Sequence, residues 1–219
     1  MPFAQQNGIR YFQFNSLNVR HAIFSRHGGV SPEPWNSLNV GGTVGDEIER
    51  VRENRRLSFD ALGCDPESIF DVWQVHSADV VYADAPRNPD EPYQQADIIL
   101  TDRPEVTLYM RFADCVPIMV HDPVKGIVGV SHAGWLGTVR DVAGATVNAM
   151  CERYGSNPSD IVACIGPSIG PDHYEVGDDV ISQANNCLEK IRMMFFIPIM
   201  KESILTCGGQ INICLSVQV

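Results

Sequence analysis

Six short β-rich segments follow one another between residues 71 and 131: DVWQV, DVVYA, DIILT, VTLYMRF, VPIMV and GIVGVS. Each is too short for a stable helix and is built largely from Val, Ile and aromatic residues, so this stretch must assemble into sheet. Helical patterns lie on either side of it. One is expected to begin at Asp46, where Asp46 and Glu49 are spaced as a capping box, with Ile48, Val51, Phe59 and Leu62 along one face and Gly63 as the stop. A second should run over 138–154, with Thr138 as cap, Asp141 three residues on, Val142, Ala145, Ala149 and Tyr154 on one face, and Gly155 at the end. DIVACIG at 160–166 returns to strand, and a third helix is expected from about Asp178 to Lys190. Residues 20–45 carry a short strand and then Gly and Pro punctuation, which reads as a long ordered loop. Strands in runs with helices inserted predict an α+β fold of mixed β-sheets flanked by helices, rather than strict βαβ alternation. At 219 residues the chain should form one domain, or two small halves sharing a core.

Charge narrows the partners. Asp and Glu outnumber Lys and Arg by 27 to 16, a formal net charge of -11, the wrong sign for a binder of phosphate backbones, so nucleic acid is not an expected partner. No window approaches the roughly 18 apolar residues of a membrane span, and the opening MPFAQQNGIRYF lacks a secretory pattern. A cytoplasmic location without a membrane partner is therefore expected. The seven cysteines are scattered without a C-x-x-C, which fits reduced thiols better than a disulfide framework.

Three donors end predicted strands: His76 after DVWQV, Cys115 after VTLYMRF and His132 after GIVGVS. They are too far apart along the chain for a zinc finger, so any site must be assembled by tertiary folding. If they meet, two imidazoles and a thiolate suit Zn²⁺ and leave a fourth position for water or substrate, the catalytic pattern. Such a metal lowers the pKa of its bound water to about 7. Two other readings stay open at this point: Cys115 as a core thiol with the histidines satisfied in core or loop, and a metal-free Cys115 nucleophile with His76 or His132 as its base.

QVHSADV at 74–80, FADCVPIMVHD at 112–122, VGVSHAGWLGT at 128–138 and CIGPSIGPDHYEV at 164–176 resemble four consecutive blocks of the laccase-domain, or YfiH-type, family. FSRHGGVS at 24–31 and SLNVGGTVGD at 37–46 resemble its N-terminal block. The resemblance implies a single α+β domain over residues 1–196 and a zinc site formed by His76, Cys115 and His132. Members of the family are described as purine nucleoside phosphorylases that also deaminate adenosine and cleave methylthioadenosine, and alternatively as copper-dependent polyphenol oxidases. With six histidines and no H-x-H pair, the chain lacks the His-rich clusters of a trinuclear copper centre, which favours zinc. Copper remains the alternative metal, and a metal-binding module without purine activity the alternative class.

For purine chemistry the expected partners are nucleosides and phosphate. Asp114 is the candidate proton carrier for deamination. Arg26, His27 and Arg55 are candidates to hold phosphate, since the first two precede a glycine pair whose N–H groups can approach an anion. Trp135 is a candidate platform for the base. One departure stands out: where the family usually has arginine after HAGW, this chain has Leu136. The oligomeric state is not legible.

The segment 197–219 is expected to be an atypical tail produced by a frameshift. The family continues with a helix of the pattern L-D-L-x-x-A-N-x-x-L-L, then C-T-x-C and F-S-x-R-R, none of which is present. Permitted codons for IPIMKESILTCGGQINICLSVQV, read from the last base of the Phe196 codon, spell HSHNEGKYLDLWRANKYLLERAG, which restores the missing helix. On that reading Cys207 and Cys214 carry no functional weight, and the missing C-terminal element leaves apolar surface uncovered.

Overall fold

The computed structural model describes residues 3–170, 172–195 and 212–218. Its elements in chain order are β1 (Phe3–Gln6), β2 (Ile9–Phe12), β3 (Arg20–Phe24), α1 (Ile48–Leu62), β4 (Ile69–Asp71), β5 (Val80–Tyr82), β6 (Ile98–Thr101), β7 (Thr107–Ala113), β8 (Val116–Asp122), β9 (Ile127–Ala133), α2 (Trp135–Val139), α3 (Val142–Tyr154), β10 (Val162–Ile165), α4 (Asp178–Phe195) and β11 (Asn212–Gln218). They form two sheets, in the orders β1-β2-β3-β11-β7-β4 and β10-β8-β9-β6-β5. Most pairs are antiparallel, while β4–β7 and β5–β6 are parallel. The α+β architecture with mixed sheets is therefore as the strand runs predict.

Alternation of side chains along the strands sorts the core into three layers. Ile23, Leu108, Met110 and Phe112 of one sheet meet Ile99, Met119, Val128 and Val130 of the other in the space between them. The opposite face of the first sheet, with Ala22, Phe24 and Tyr109, packs on Phe59 and Ala61 of α1. The opposite face of the second, with Ile98, Leu100, Ile118 and Val120, packs on Val142, Ala149 and Met150 of α3. Helix α1 covers one sheet and α3 the other, and the two sheets cover each other.

Several local expectations are corrected. The first helix starts at Ile48, not Asp46, because the Asp46 carboxylate is taken by Ser31 Oγ (2.6 Å), Asn39 Nδ2 (3.0 Å) and the Glu47 N–H (2.8 Å). It pins the preceding loop instead of capping. Gly63 does end that helix, in the left-handed conformation. The expected 138–154 helix is two: α2 already spans Trp135–Val139, and Asp141, at φ 59°, caps α3 by accepting from the Gly144 N–H. Thr138 is no cap; its hydroxyl donates to the Gly134 carbonyl.

The strand expected over 71–75 stops at Asp71. Beyond it, the Gln74 side chain exchanges two hydrogen bonds with the Arg111 backbone and the Val75 N–H turns to the Asp97 carboxylate, so regular pairing ends. Of the tail, residues 197–211 and 219 lie outside the described residues. Residues 212–218 form β11, antiparallel to both β3 and β7 and inserted between them.

Candidate functional site

The chain passes from one sheet to the other twice near the same place. Between β7 and β8 it crosses through Asp114 and Cys115, and between β4 and β5 through the segment that carries His76. Both crossings turn sharply: His76 sits at φ 58° and Asp114 at φ 74°, two of the four non-glycine residues with positive φ among the described residues. Strained backbone of this kind persists where surrounding contacts over-determine it, and it concentrates at functional sites. His132 is supplied by β9 itself rather than by a loop after it, a correction to its expected place. It shares the inter-sheet face with Val128 and Val130, and its ring lies 5.3 Å from that of Phe112.

These three residues meet. One ligand atom from each of His76, Cys115 and His132 can be chosen so that all lie within 4.8 Å of one another. His132 is the buried member, Cys115 is half-buried and His76 is exposed, so the cluster opens toward solvent on the His76 side. Gly134 makes the approach possible: a Cβ there would stand 2.8 Å from His76 Cδ2 and 3.1 Å from Cys115 Sγ. Two imidazoles and a thiolate are a borderline-soft set suited to zinc, and three protein donors leave a coordination position free.

The surroundings also fit a metal. His132 Nδ1 lies 2.7 Å from Asp97 Oδ1, which leaves Nε2 as the ring nitrogen available to a metal. Burial pushes the His132 pKa down, but hydrogen bonds to Asp97 and Cys115 outweigh it, and in the metal-free protein it is pushed up to about 9. The pKa of His76 is lowered, first by loss of water around its ring and then by the neighbouring His132. Asp114 Oδ1 is buried with no hydrogen-bond partner among the described residues.

Two cavities flank the cluster and share Ala113 and Asp114. One, of about 350 Å³, is mostly apolar and is lined by Cys115, Trp135, Val139, Ile169, Tyr174 and Val180. The other, of about 250 Å³, is more polar, with Arg26, Trp35 and Asn39 in its wall. Of the residues expected at the site, Asp114 lines both cavities, Trp135 the apolar one and Arg26 the polar one. His27 is exposed on the loop beside Arg26 and lines neither cavity.

Arg55 is placed elsewhere. Its guanidinium donates twice to the Val40 carbonyl, at 3.0 and 2.8 Å, and borders a separate cavity with Phe59, Arg87 and Tyr109. Its physical role there is to tie α1 to the long loop. Four residues escaped the sequence reading: Asp97, Gly134, Asn39 and Arg140. Arg140 Nη1 donates to the His76 carbonyl at 3.1 Å, so a cation does stand near the cluster although Leu136 replaces the family arginine.

A family model described as multi-copper polyphenol oxidoreductase laccase matches residues 20–203. A purine nucleoside phosphorylase of Streptomyces coelicolor is 41% identical over 169 residues, which covers 77% of this chain and 69% of the relative. The purine nucleoside phosphorylase YlmD of Bacillus subtilis is 39% identical over 173 residues, covering 76% of this chain and 62% of the relative. The chain thus spans about two thirds of the length of these relatives. The crystal structure of the hypothetical protein YfiH from Bacillus licheniformis superposes with a TM-score of 0.79 at 33% identity, covering 94% of this chain and 79% of that one. With its blocks in order, a superposition of this quality and relatives this similar, the chain belongs to the YfiH-type family of multi-copper polyphenol oxidoreductase laccase domains.

Proposed function

We propose that the chain is a zinc-dependent purine nucleoside phosphorylase acting in the cytoplasm. Its substrates are inosine, adenosine and methylthioadenosine with inorganic phosphate, and it deaminates adenosine as a second activity. The observation that carries this reading is the junction of an open His₂Cys cluster with an apolar cavity and a polar one, Asp114 standing between the two. The names of the relatives from Streptomyces coelicolor and Bacillus subtilis support it.

The apolar cavity, at the low end of the roughly 300–1,000 Å³ of small-molecule sites, suits a purine with Trp135 as one wall. The polar cavity suits phosphate, with Arg26 as its cation and His27 on the loop behind. In phosphorolysis a phosphate oxygen attacks the anomeric carbon of the ribose, the glycosidic bond breaks, and the departing base needs a proton. In deamination, water adds at the carbon bearing the amino group and ammonia leaves. Asp114, which lines both cavities, carries the proton in either reaction. Zinc held by His76, Cys115 and His132 supplies Lewis-acid chemistry.

The family description favours a copper-dependent polyphenol oxidase as the second reading, and a thiolate among the donors suits copper as well. Among the described residues, however, the cluster at His76 is the sole group of three metal donors, which does not make a multicopper centre. A metal-binding module without purine activity is the third reading. Incubating purified protein with inosine or adenosine, with and without phosphate, and resolving the products by chromatography separates the three. Free base should be released only with phosphate, and inosine should form more slowly from adenosine. Phenol oxidation by the copper-free zinc form, with no base released from any nucleoside, would reverse the ranking.

A further inference from the structure

We propose that Asp97 is the residue that positions two of the three metal ligands at once, an inference that rests on the metal reading above. Asp97 is completely buried immediately before β6. One of its oxygens, Oδ1, faces His132 Nδ1 at 2.7 Å. The other accepts from the Val75 N–H (3.0 Å), the Ser77 N–H (2.7 Å) and the Ser77 hydroxyl (3.1 Å). Val75 and Ser77 bracket His76, so the carboxylate grips the chain on both sides of a ligand held in the left-handed region. The Asp97 carbonyl also accepts from the His132 N–H at 2.8 Å, which fixes the backbone of the second ligand.

A carboxylate is needed here, because it must accept on both oxygens. At Oδ1 it keeps the proton of His132 on Nδ1, so that Nε2 presents its lone pair. At Oδ2 it satisfies three donors and holds the turn of His76. An asparagine of the same shape cannot do both. With its amide nitrogen toward His132 it drives the ring proton onto Nε2, and with the nitrogen toward Val75 and Ser77 it sets donors against donors. Strand pairing makes the arrangement rigid, since Ile98 pairs with Ser131 and Asp97 is thereby set beside His132.

Zinc affinity, read by competition with a chromophoric chelator, tests the assignment without recourse to activity. Asp97→Asn should weaken zinc binding about 10–100-fold while circular dichroism stays native. Ser77→Ala, which removes one of the three donors at Oδ2 and keeps both backbone bonds, should change it by less than about threefold. In the unmodified zinc-loaded protein, ¹⁵N-histidine spectra should show His132 protonated at Nδ1 and ligated through Nε2, a readout that stands even if Asp97→Asn fails to fold. Ligation through Nδ1, or zinc affinity in Asp97→Asn equal to the parent, overturns the inference alone. Failure of the unmodified protein to take up zinc overturns the metal reading and this inference with it.

Discussion

Adding one methyl group at Gly134 tests whether the cluster is spaced for a metal. The backbone there, at φ −71° and ψ 174°, is ordinary for alanine, so Gly134→Ala introduces no conformational strain. Its new Cβ would lie 2.8 Å from His76 Cδ2 and 3.1 Å from Cys115 Sγ. Restoring the 3.4 Å of ordinary contact requires the His76 ring to withdraw by roughly 0.6 Å, whereas metal–ligand distances tolerate about 0.2 Å. The ring can swing outward, because His76 is the exposed member, so the fold should survive where the ligand geometry does not. Alanine is also a poorer N-cap than glycine, which should cost the metal-free protein no more than about 1 kcal/mol. Zinc affinity should fall about 10–100-fold, or about 1.4–2.8 kcal/mol. Chelator competition measures the zinc affinity, and urea unfolding of the metal-free form measures the cost at the cap. Unchanged zinc affinity in Gly134→Ala would show that the three residues do not share an ion.

Cys115→Ala should remove the metal together with nucleoside cleavage, as measured by elemental analysis and chromatography; full activity in that variant would sink the metal assignment. The metal-free protein should lose stability as pH rises from 6.5 to about 9. The folded pKa of His132 is raised, so its contribution is complete below 6.5 and is lost through about 9. At the acid end Asp97, whose pKa is lowered despite burial by its bonds to His132, Ser77 and Val75, contributes above 3.8 and loses that contribution below it. Thermal unfolding across pH 3–9.5, with and without zinc, checks this, and a metal-free form that gains stability between 6.5 and 9 would contradict it. Asn54 is fully buried on α1, donates to Ser31 Oγ and the Asn39 carbonyl and accepts from the Val30 N–H. Asn54→Ala should therefore destabilise the protein by about 1–3 kcal/mol and raise the KM for phosphate more than that for nucleoside, because the loop it anchors carries Arg26. Resequencing decides the origin of the tail: codons 196–219 shifted by one base should spell LDLWRAN, and early stops in that frame would end the frameshift idea.

The meeting of His76, Cys115 and His132 was legible because strand ends and short motifs are local in sequence. Asp97 was not, since its partner is set by lateral pairing of β6 with β9 and nothing in DIILT distinguishes a gripping carboxylate from an ordinary strand-end acid. The strand expected through Val75 failed for a related reason: Gln74 imitates a backbone neighbour with its side chain, which periodicity does not register. Arg55 misled because a long cation on a helix can as readily cap a loop carbonyl as bind an anion. The two-helix break at Asp141 turns on one left-handed residue, a conformation that apolar spacing does not encode.

The placement of His132 on the inter-sheet face of β9 ties the assembly of the His76, Cys115 and His132 cluster to correct strand pairing. Side chains alternate along a strand, so a one-residue slip of β9 against β8 and β6 would turn Val128, Val130 and His132 away from the gap between the sheets together. It would also part His132 from Asp97. A chain folded out of register would not bring the three donors of the cluster together, so the proximity of His76, Cys115 and His132 reports on whether the strands of this sheet have paired correctly.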